Sequence, residues 1–165
     1  MEYIRCFSSP LGFLTASSDG QALTALFFSD CREGPDDDLP LFSALDSWLQ
    51  RYFAGGDPGP VPVPLAPRGT EFQKQVFSAL MRIPYGETLT YGELARQLSS
   101  SPRAIGAAVG RNPIALAIPC HRVLGTGGRL TGYAWGLSRK QALLALEQQG
   151  STKLSAAAGI KKQDL

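Results

Sequence analysis

Three cysteines and one histidine in 165 residues leave little material for a disulfide framework or a metal site. Cys6, Cys31 and Cys120 are odd in number and far apart, which reads as free thiols in a reducing compartment. Zinc needs four ligands at a recognisable spacing, and none is present. No metal and no cofactor are expected. No run approaches 18 apolar residues, so no membrane span is expected. The opening "MEYIRCFSSPLGF" lacks the basic lead-in and apolar run of a secretion signal. These absences together predict a soluble, cytoplasmic protein.

Each half is poor in charge of one sign. Residues 1–67 hold three basic and nine acidic side chains, a net of −6, and residues 68–165 hold thirteen and five, a net of +8. The field of the second half favours a polyanion, although a solvated basic face would look the same. The sign changes at "GGDPGPVPVPLAP", residues 55–67, whose five prolines and three glycines exclude a helix and disfavour a central strand. The reading is an extended, proline-stiffened linker. It divides the chain into a scaffold domain at 1–55, a linker at 56–68, a functional domain at 69–150 and a flexible tail at 151–165.

Before the linker, "YIRCFSS", "GFLTASS" and "ALTALFFS" read as strands, with a hairpin turn at "SSDGQ". "LFSALDSWLQRYFAG" reads as a helix burying Leu41, Leu45, Trp48, Leu49 and Tyr52. No chemical constellation stands out there, and a scaffolding role is expected. After the linker, Thr70 is placed to cap an amphipathic helix with Phe72, Val76, Phe77 and Leu80 on its buried stripe. "YGELARQL" is a short helix. Ser101 can cap the next one, with Pro102 at its first position. Helix, turn and helix in this order suit a helix-turn-helix reader. Ala104, Gly106, Ala107, Ala108 and Gly110 leave the second of these helices thin, fit for close approach to another helix or to a nucleic-acid backbone. Arg103 sits at its start, where the helix dipole gives a cation no benefit. "LSRKQALLALEQQG" is a last helix, with Leu137, Leu143, Leu144 and Leu146 partly buried.

The stretch "AIPCHRVLG" places the one histidine directly after Cys120. A thiol at its free pKa is only a few per cent ionised at neutral pH, so a nucleophilic cysteine needs a helper. Neighbouring side chains of an extended segment point to opposite faces. A working Cys120–His121 pair therefore needs a local bend, or a water between the two. Glu147 is the best unpaired acid to orient the histidine. By spacing alone, a core cysteine beside a surface histidine is the blander alternative.

"PCHRV" with "NP" before it, "FQKQVFSALMRIPYGETLTYGELA" and "GYAWGLSRKQALLALE", in this order, resemble the methylated-DNA–protein-cysteine methyltransferases, the O6-alkylguanine-DNA alkyltransferases. The likeness is close over residues 70–148 and looser over 1–55. It implies an α+β fold of two small domains: an N-terminal antiparallel sheet with a helix, ribonuclease-H-like, and a C-terminal helical domain with a helix-turn-helix, winged-helix-like. It implies a monomer that binds double-stranded DNA containing O6-alkylguanine in the minor groove and flips the damaged base. The alkyl group then passes irreversibly to Cys120, once per molecule, with O4 of thymine as a second donor. By the same resemblance His121 is the base, acting through a water, and Glu147 orients it. Asn112 holds the turn, and Tyr91 serves the leaving guanine. Arg103 fills the vacated stack, and Ala104, Ala107, Ala108, Arg111 and Arg122 make up the DNA contacts. Tyr91, Val123, Tyr133, Ala134 and Trp135 line the pocket. Trp135 stands where members usually have glycine, and Phe77 where tryptophan is more usual. The rival reading is a lesion-sensing DNA-binding protein of the same fold, but such proteins lack the acceptor cysteine that is present here.

Overall fold

The computed structural model of the protein describes residues 1–32 and 34–157. Strands β1 (Tyr3–Phe7), β2 (Phe13–Ser18) and β3 (Leu23–Ser29) form an antiparallel meander in the order β1-β2-β3. The hairpin between β2 and β3 is set by Asp19, whose Oδ1 accepts from the backbone of Gln21 and Ala22 at 2.9 Å each. Helix α1 (Pro40–Phe53) packs on the sheet through Phe42, Leu45, Trp48, Leu49 and Tyr52. The stripe begins at Phe42 rather than Leu41, which is only half-buried. A start at 42 keeps the three-four-three spacing of one helix face. Each such side chain is worth about 1.5–3 kcal/mol when fully buried.

The proline-rich segment is docked on the sheet rather than free. Leu23 donates its N–H to Pro64 O at 2.8 Å and accepts from Ala66 N at 2.8 Å. Farther along β3, Leu26 donates to Pro113 O at 2.9 Å and accepts from Ala115 N at 2.7 Å. The outer edge of β3 is thus covered twice, by the linker and by a segment of the basic half. An open strand edge needs such cover, and proline carbonyls can accept although proline cannot donate. Trp48 Nε1 adds a bond to Gly59 O at 3.0 Å.

In the basic half, α2 (Glu71–Met81) opens on a full capping box in which Thr70 and Gln73 bond reciprocally. The short strand β4 (Leu89–Thr90) pairs in parallel with β5 (Val123–Leu124). Thr90 caps α3 (Tyr91–Gln97). The chain turns through Ser99, which has a positive φ of 51°. Ser101 then caps α4 (Pro102–Val109), with Pro102 in its first turn. α3 and α4 form the helix-turn-helix. The last helix, α5 (Leu137–Ala157), buries Leu143 fully but leaves Leu137 44% exposed, contrary to the expected stripe. It stays helical past residue 150, where the sequence suggests a tail, and residues 158–165 lie outside the described residues. Among the described residues no helix is long and apolar enough to cross a membrane.

Candidate active site

The site is built on a buried turn. Asn112 donates from Nδ2 to Ile118 O at 2.8 Å and accepts at Oδ1 from Ile114 N at 3.0 Å, folding residues 112–118 back on themselves. Leu116 at its apex has a φ of +68° and is 2% exposed. A left-handed leucine costs about 1–3 kcal/mol and persists only where packing enforces it. After Pro119 comes one turn of 3-10 helix, Cys120–Arg122. That turn supplies the bend an extended segment lacks. Cys120 and His121 are both buried.

His121 Nε2 lies 2.5 Å from Glu147 Oε2 on α5. Arg122 donates from Nε to Glu147 Oε1 at 2.7 Å, from Nη2 to Oε2 at 3.2 Å, and from Nη1 to Ile83 O at 2.7 Å. Gly86 N gives Oε1 a further bond at 3.2 Å. Gly86 has a φ of +79°, and a Cβ there would stand 2.7 Å from Ser151 Cβ, so only glycine brings this N–H to the carboxylate. Burial pushes the Glu147 carboxyl up, but His121 and Arg122 outweigh it and hold it down at about 2. Burial lowers the pKa of His121 against the pull of Glu147, so the ring rests neutral. With Nε2–H donated to the carboxylate, Nδ1 carries the lone pair, and Nδ1 is buried with no protein partner.

Burial raises the Cys120 thiol to about 11, against the lowering pull of Asn112 and Lys140. The resting sulfur is therefore protonated. Lys140 is fully buried: Nζ donates to Thr131 O at 2.7 Å and Gly132 O at 3.0 Å and stands 5.9 Å from the centre of the Tyr91 ring. It ties the glycine-rich segment to α5 beside the thiol. Tyr91 is half-buried, with its hydroxyl beside Gly132. Burial first, then the charge of Cys120, raises the pKa of both Tyr91 and Tyr133. The Tyr133 hydroxyl is buried without a partner. Val123 is buried and Ala134 exposed. Trp135 packs edge-on to Tyr133 at 5.2 Å and to Phe28 of β3 at 6.4 Å. A cleft of about 590 Å³ reaches the turn from the linker side and is lined by Val63, Ile83, Tyr85, Pro119 and Arg122, without Cys120.

Two sequence families account for nearly the whole chain. The 6-O-methylguanine DNA methyltransferase ribonuclease-like domain matches residues 3–67, and the DNA binding domain of the same methyltransferase matches residues 71–149. The methylated-DNA–protein-cysteine methyltransferase of Mycolicibacterium paratuberculosis is 45% identical over 158 residues, covering 92% of this chain and 94% of that protein. The chain belongs to the methylated-DNA–protein-cysteine methyltransferase family. A crystal structure of Mycobacterium tuberculosis OGT in complex with DNA superposes with a TM-score of 0.79 at 45% identity, covering 88% of this chain and 92% of that one. The protein is a single-turnover, direct-reversal alkyltransferase with a buried active-site cysteine.

In this alkyltransferase α4 presents Arg103 and Ala107 to solvent, with Ala104 half-buried, and Arg111 is exposed on the turn that follows it. Ala108 is 2% exposed and faces the core, so it lies off the DNA side on which the sequence reading sets it. Arg122 departs from that reading too: its guanidinium turns inward, and the side chain is 11% exposed. A buried carboxylate with bidentate geometry outcompetes solvent for a guanidinium. Two contributors have no place in the sequence reading of the site. Lys140 lies within the motif "GYAWGLSRKQALLALE" but is given no role there, and its buried bonds to two carbonyls supply one. Tyr52 of the N-terminal half donates to Glu147 Oε2 at 2.6 Å, so that half reaches the site and is more than a scaffold. Its only sequence signal is a hydroxyl within an otherwise apolar helix stripe.

Proposed function

We propose that Cys120 Sγ takes a methyl group from O6 of guanine in double-stranded DNA, with His121 as its base. The carrying observation is a buried thiol next to a histidine whose Nε2 is fixed by Glu147 and whose Nδ1 is left without a protein partner. His121 Nδ1 draws the thiol proton, through one water, as Sγ attacks the methyl carbon. The S–C bond forms while the C–O6 bond breaks, and the electron pair goes to the guanine ring. The ring accepts a proton as it leaves, with the Tyr91 hydroxyl placed to donate. The thioether has no route back to a thiol, so the protein is consumed. O4 of thymine presents the same alkyl–oxygen chemistry and is the second substrate. Guanine enters beside Tyr91 and Val123, under the backbone of Ala134, once Tyr133 and Trp135 move aside.

A flipped base must first leave the stack, at a cost of a few kcal/mol. Arg103 at the exposed start of α4 offsets this by filling the gap, while Ala104 and Ala107 let α4 into a minor groove only about 6 Å wide. Arg111 adds a phosphate contact. The division at residues 55 and 68, action as a monomer and a cytoplasmic location fit this reading, because a nucleophilic thiol must be kept reduced. A lesion sensor of the same fold is disfavoured by the thiol itself.

The test is a duplex oligonucleotide with one O6-methylguanine, incubated with reduced protein and followed by mass spectrometry. One methyl should move to the peptide holding Cys120, and the DNA should regain guanine. Turnover beyond one equivalent, or no transfer, refutes the assignment. Arg103→Ala should slow repair of duplex by about 100-fold, the factor that a few kcal/mol of lost flipping assistance gives. Reaction with free O6-benzylguanine should stay within about twofold of wild type, because no stack has to be opened for a free base. Equal losses on both substrates would place Arg103 outside base flipping.

A further inference from the structure

We infer that Tyr52, on α1 of the N-terminal half, is a positioning residue of the alkyl transfer, its hydroxyl fixing the carboxylate that orients His121. The inference rests on His121 and Glu147 being the pair that activates Cys120. Tyr52 is 1% exposed, and its O–H donates to Glu147 Oε2 at 2.6 Å, the same oxygen that His121 Nε2 meets. It also lies 3.5 Å from His121 Nε2. Its stripe neighbours Phe42, Leu45 and Leu49 fill the core without polar atoms. A phenylalanine would have served packing alone, since the ring already stacks on Trp48 at 5.6 Å and meets Phe53 edge-on at 5.2 Å. Burying a hydroxyl costs energy unless it is bonded, and here its partner is a carboxylate.

The groups around the imidazole come from three elements. Glu147 and Lys140 face it from α5, Arg122 from its own turn, and Tyr52 from α1. Tyr85, on the turn after α2, faces Glu147 and Arg122. Oε1 is occupied by Arg122 and Gly86, and Oε2 by Arg122, His121 and Tyr52. The Tyr52 proton withdraws charge from the oxygen that His121 uses. Without it that oxygen pulls harder on the imidazole proton, and the ring stays protonated to higher pH. A protonated ring has no lone pair for the thiol.

The histidine is the only one in the chain, so its ring nitrogens titrate alone in a ¹⁵N spectrum. In full-length Tyr52→Phe the imidazole titration and the acid limb of the transfer rate should both move up by about one pH unit. On the acid limb, well below both titrations, the rate at a given pH should fall about tenfold, the factor that a one-unit shift gives. Phe53→Leu trims the ring packed on Tyr52 and controls for loosened packing: it should lower the melting temperature and leave the acid limb in place. A Tyr52→Phe titration and rate profile that superpose on wild type overturn the proposal, as does an equal shift in Phe53→Leu. If Tyr52→Phe does not fold, wild type decides, because a hydroxyl held in this bond gives a slowly exchanging downfield proton with a cross-peak to the His121 ring. Its absence overturns the proposal. His121→Gln, run alongside, separates the two readings: an unchanged transfer rate there refutes the activating pair itself rather than the role of Tyr52.

Discussion

Cys120→Ser is expected to bind alkylated duplex as wild type does and to transfer nothing, a loss of at least about 10⁴-fold in the single-turnover rate. The substitution changes one atom at a site that is 4% exposed, so packing hardly changes. Reactivity changes completely. A hydroxyl is a far weaker nucleophile than a thiol at its free pKa, and the neutral His121 is too weak a base to ionise it. The wild-type sulfur starts at a disadvantage as well, since burial raises it to about 11. The rate therefore depends on moving the proton during attack rather than on a standing thiolate. Two measurements check this, gel-shift affinity for the methylated duplex and methyl transfer detected by mass. If the variant still takes up a methyl, on its substituted peptide or on Cys6 or Cys31, the acceptor is not a single atom.

Glu147→Gln should lower both stability and rate. The carboxylate receives Arg122 twice, Tyr52, Gly86 N and His121, and an amide cannot accept all five. It also leaves the Arg122 guanidinium without a counter-charge. Breaking a buried ion pair from one side costs about 3–5 kcal/mol. For a chain of this size that is a fall of about 10 °C in melting temperature. The transfer rate should drop by about 10²–10³-fold, the range of a lost general base, because nothing then holds His121 with Nδ1 free. The acid stability profile gives an independent check. The folded Glu147 pKa of about 2 lies below the ordinary 4.5, so its stabilisation is full above pH 4.5 and is lost as pH falls towards 2. The folded His121 pKa is also lowered, from an ordinary 6.5, so the unfolded chain takes up that proton first. Its share of stability drains away below pH 6.5. The two effects have the same sign, and urea titrations from about pH 7 to about pH 3 should show wild-type stability falling throughout. In Glu147→Gln the part below pH 4.5 should be shallower, with the lowered Asp19 carboxyl still contributing. A parallel fall in both proteins would mean that Glu147 is not held ionised by its partners.

What is legible in the sequence is local chemistry. Thr70, Ser101 and Pro102 mark helix starts because a cap bonds within three residues, and the structure shows those bonds. Strands and hairpin follow from alternation and the Asp-Gly pair. What stays hidden is pairing across distance. The prolines at 58–67 read as an extended linker because proline weakens strands, and their docking is invisible because Leu23, their partner, lies far back in the chain on β3. Arg122 and Lys140 sit in the basic half, where Arg122 reads as a DNA contact and Lys140 has no assigned role, and their burial is decided by an acid and two carbonyls that only the fold brings near. Tyr52 is visible, but as core: stripe periodicity registers the ring and is blind to what its hydroxyl meets.

The covered edge of β3 has a consequence for what happens when the chain is cut. A protease cutting between residues 55 and 63 would not release two working pieces. Each fragment would bare main-chain groups now satisfied by the other, Leu23 and Leu26 on one side, Pro64, Ala66, Pro113 and Ala115 on the other. Raw strand margins recruit their own kind. Nicked protein whose halves part should therefore precipitate, which light scattering after limited proteolysis would register.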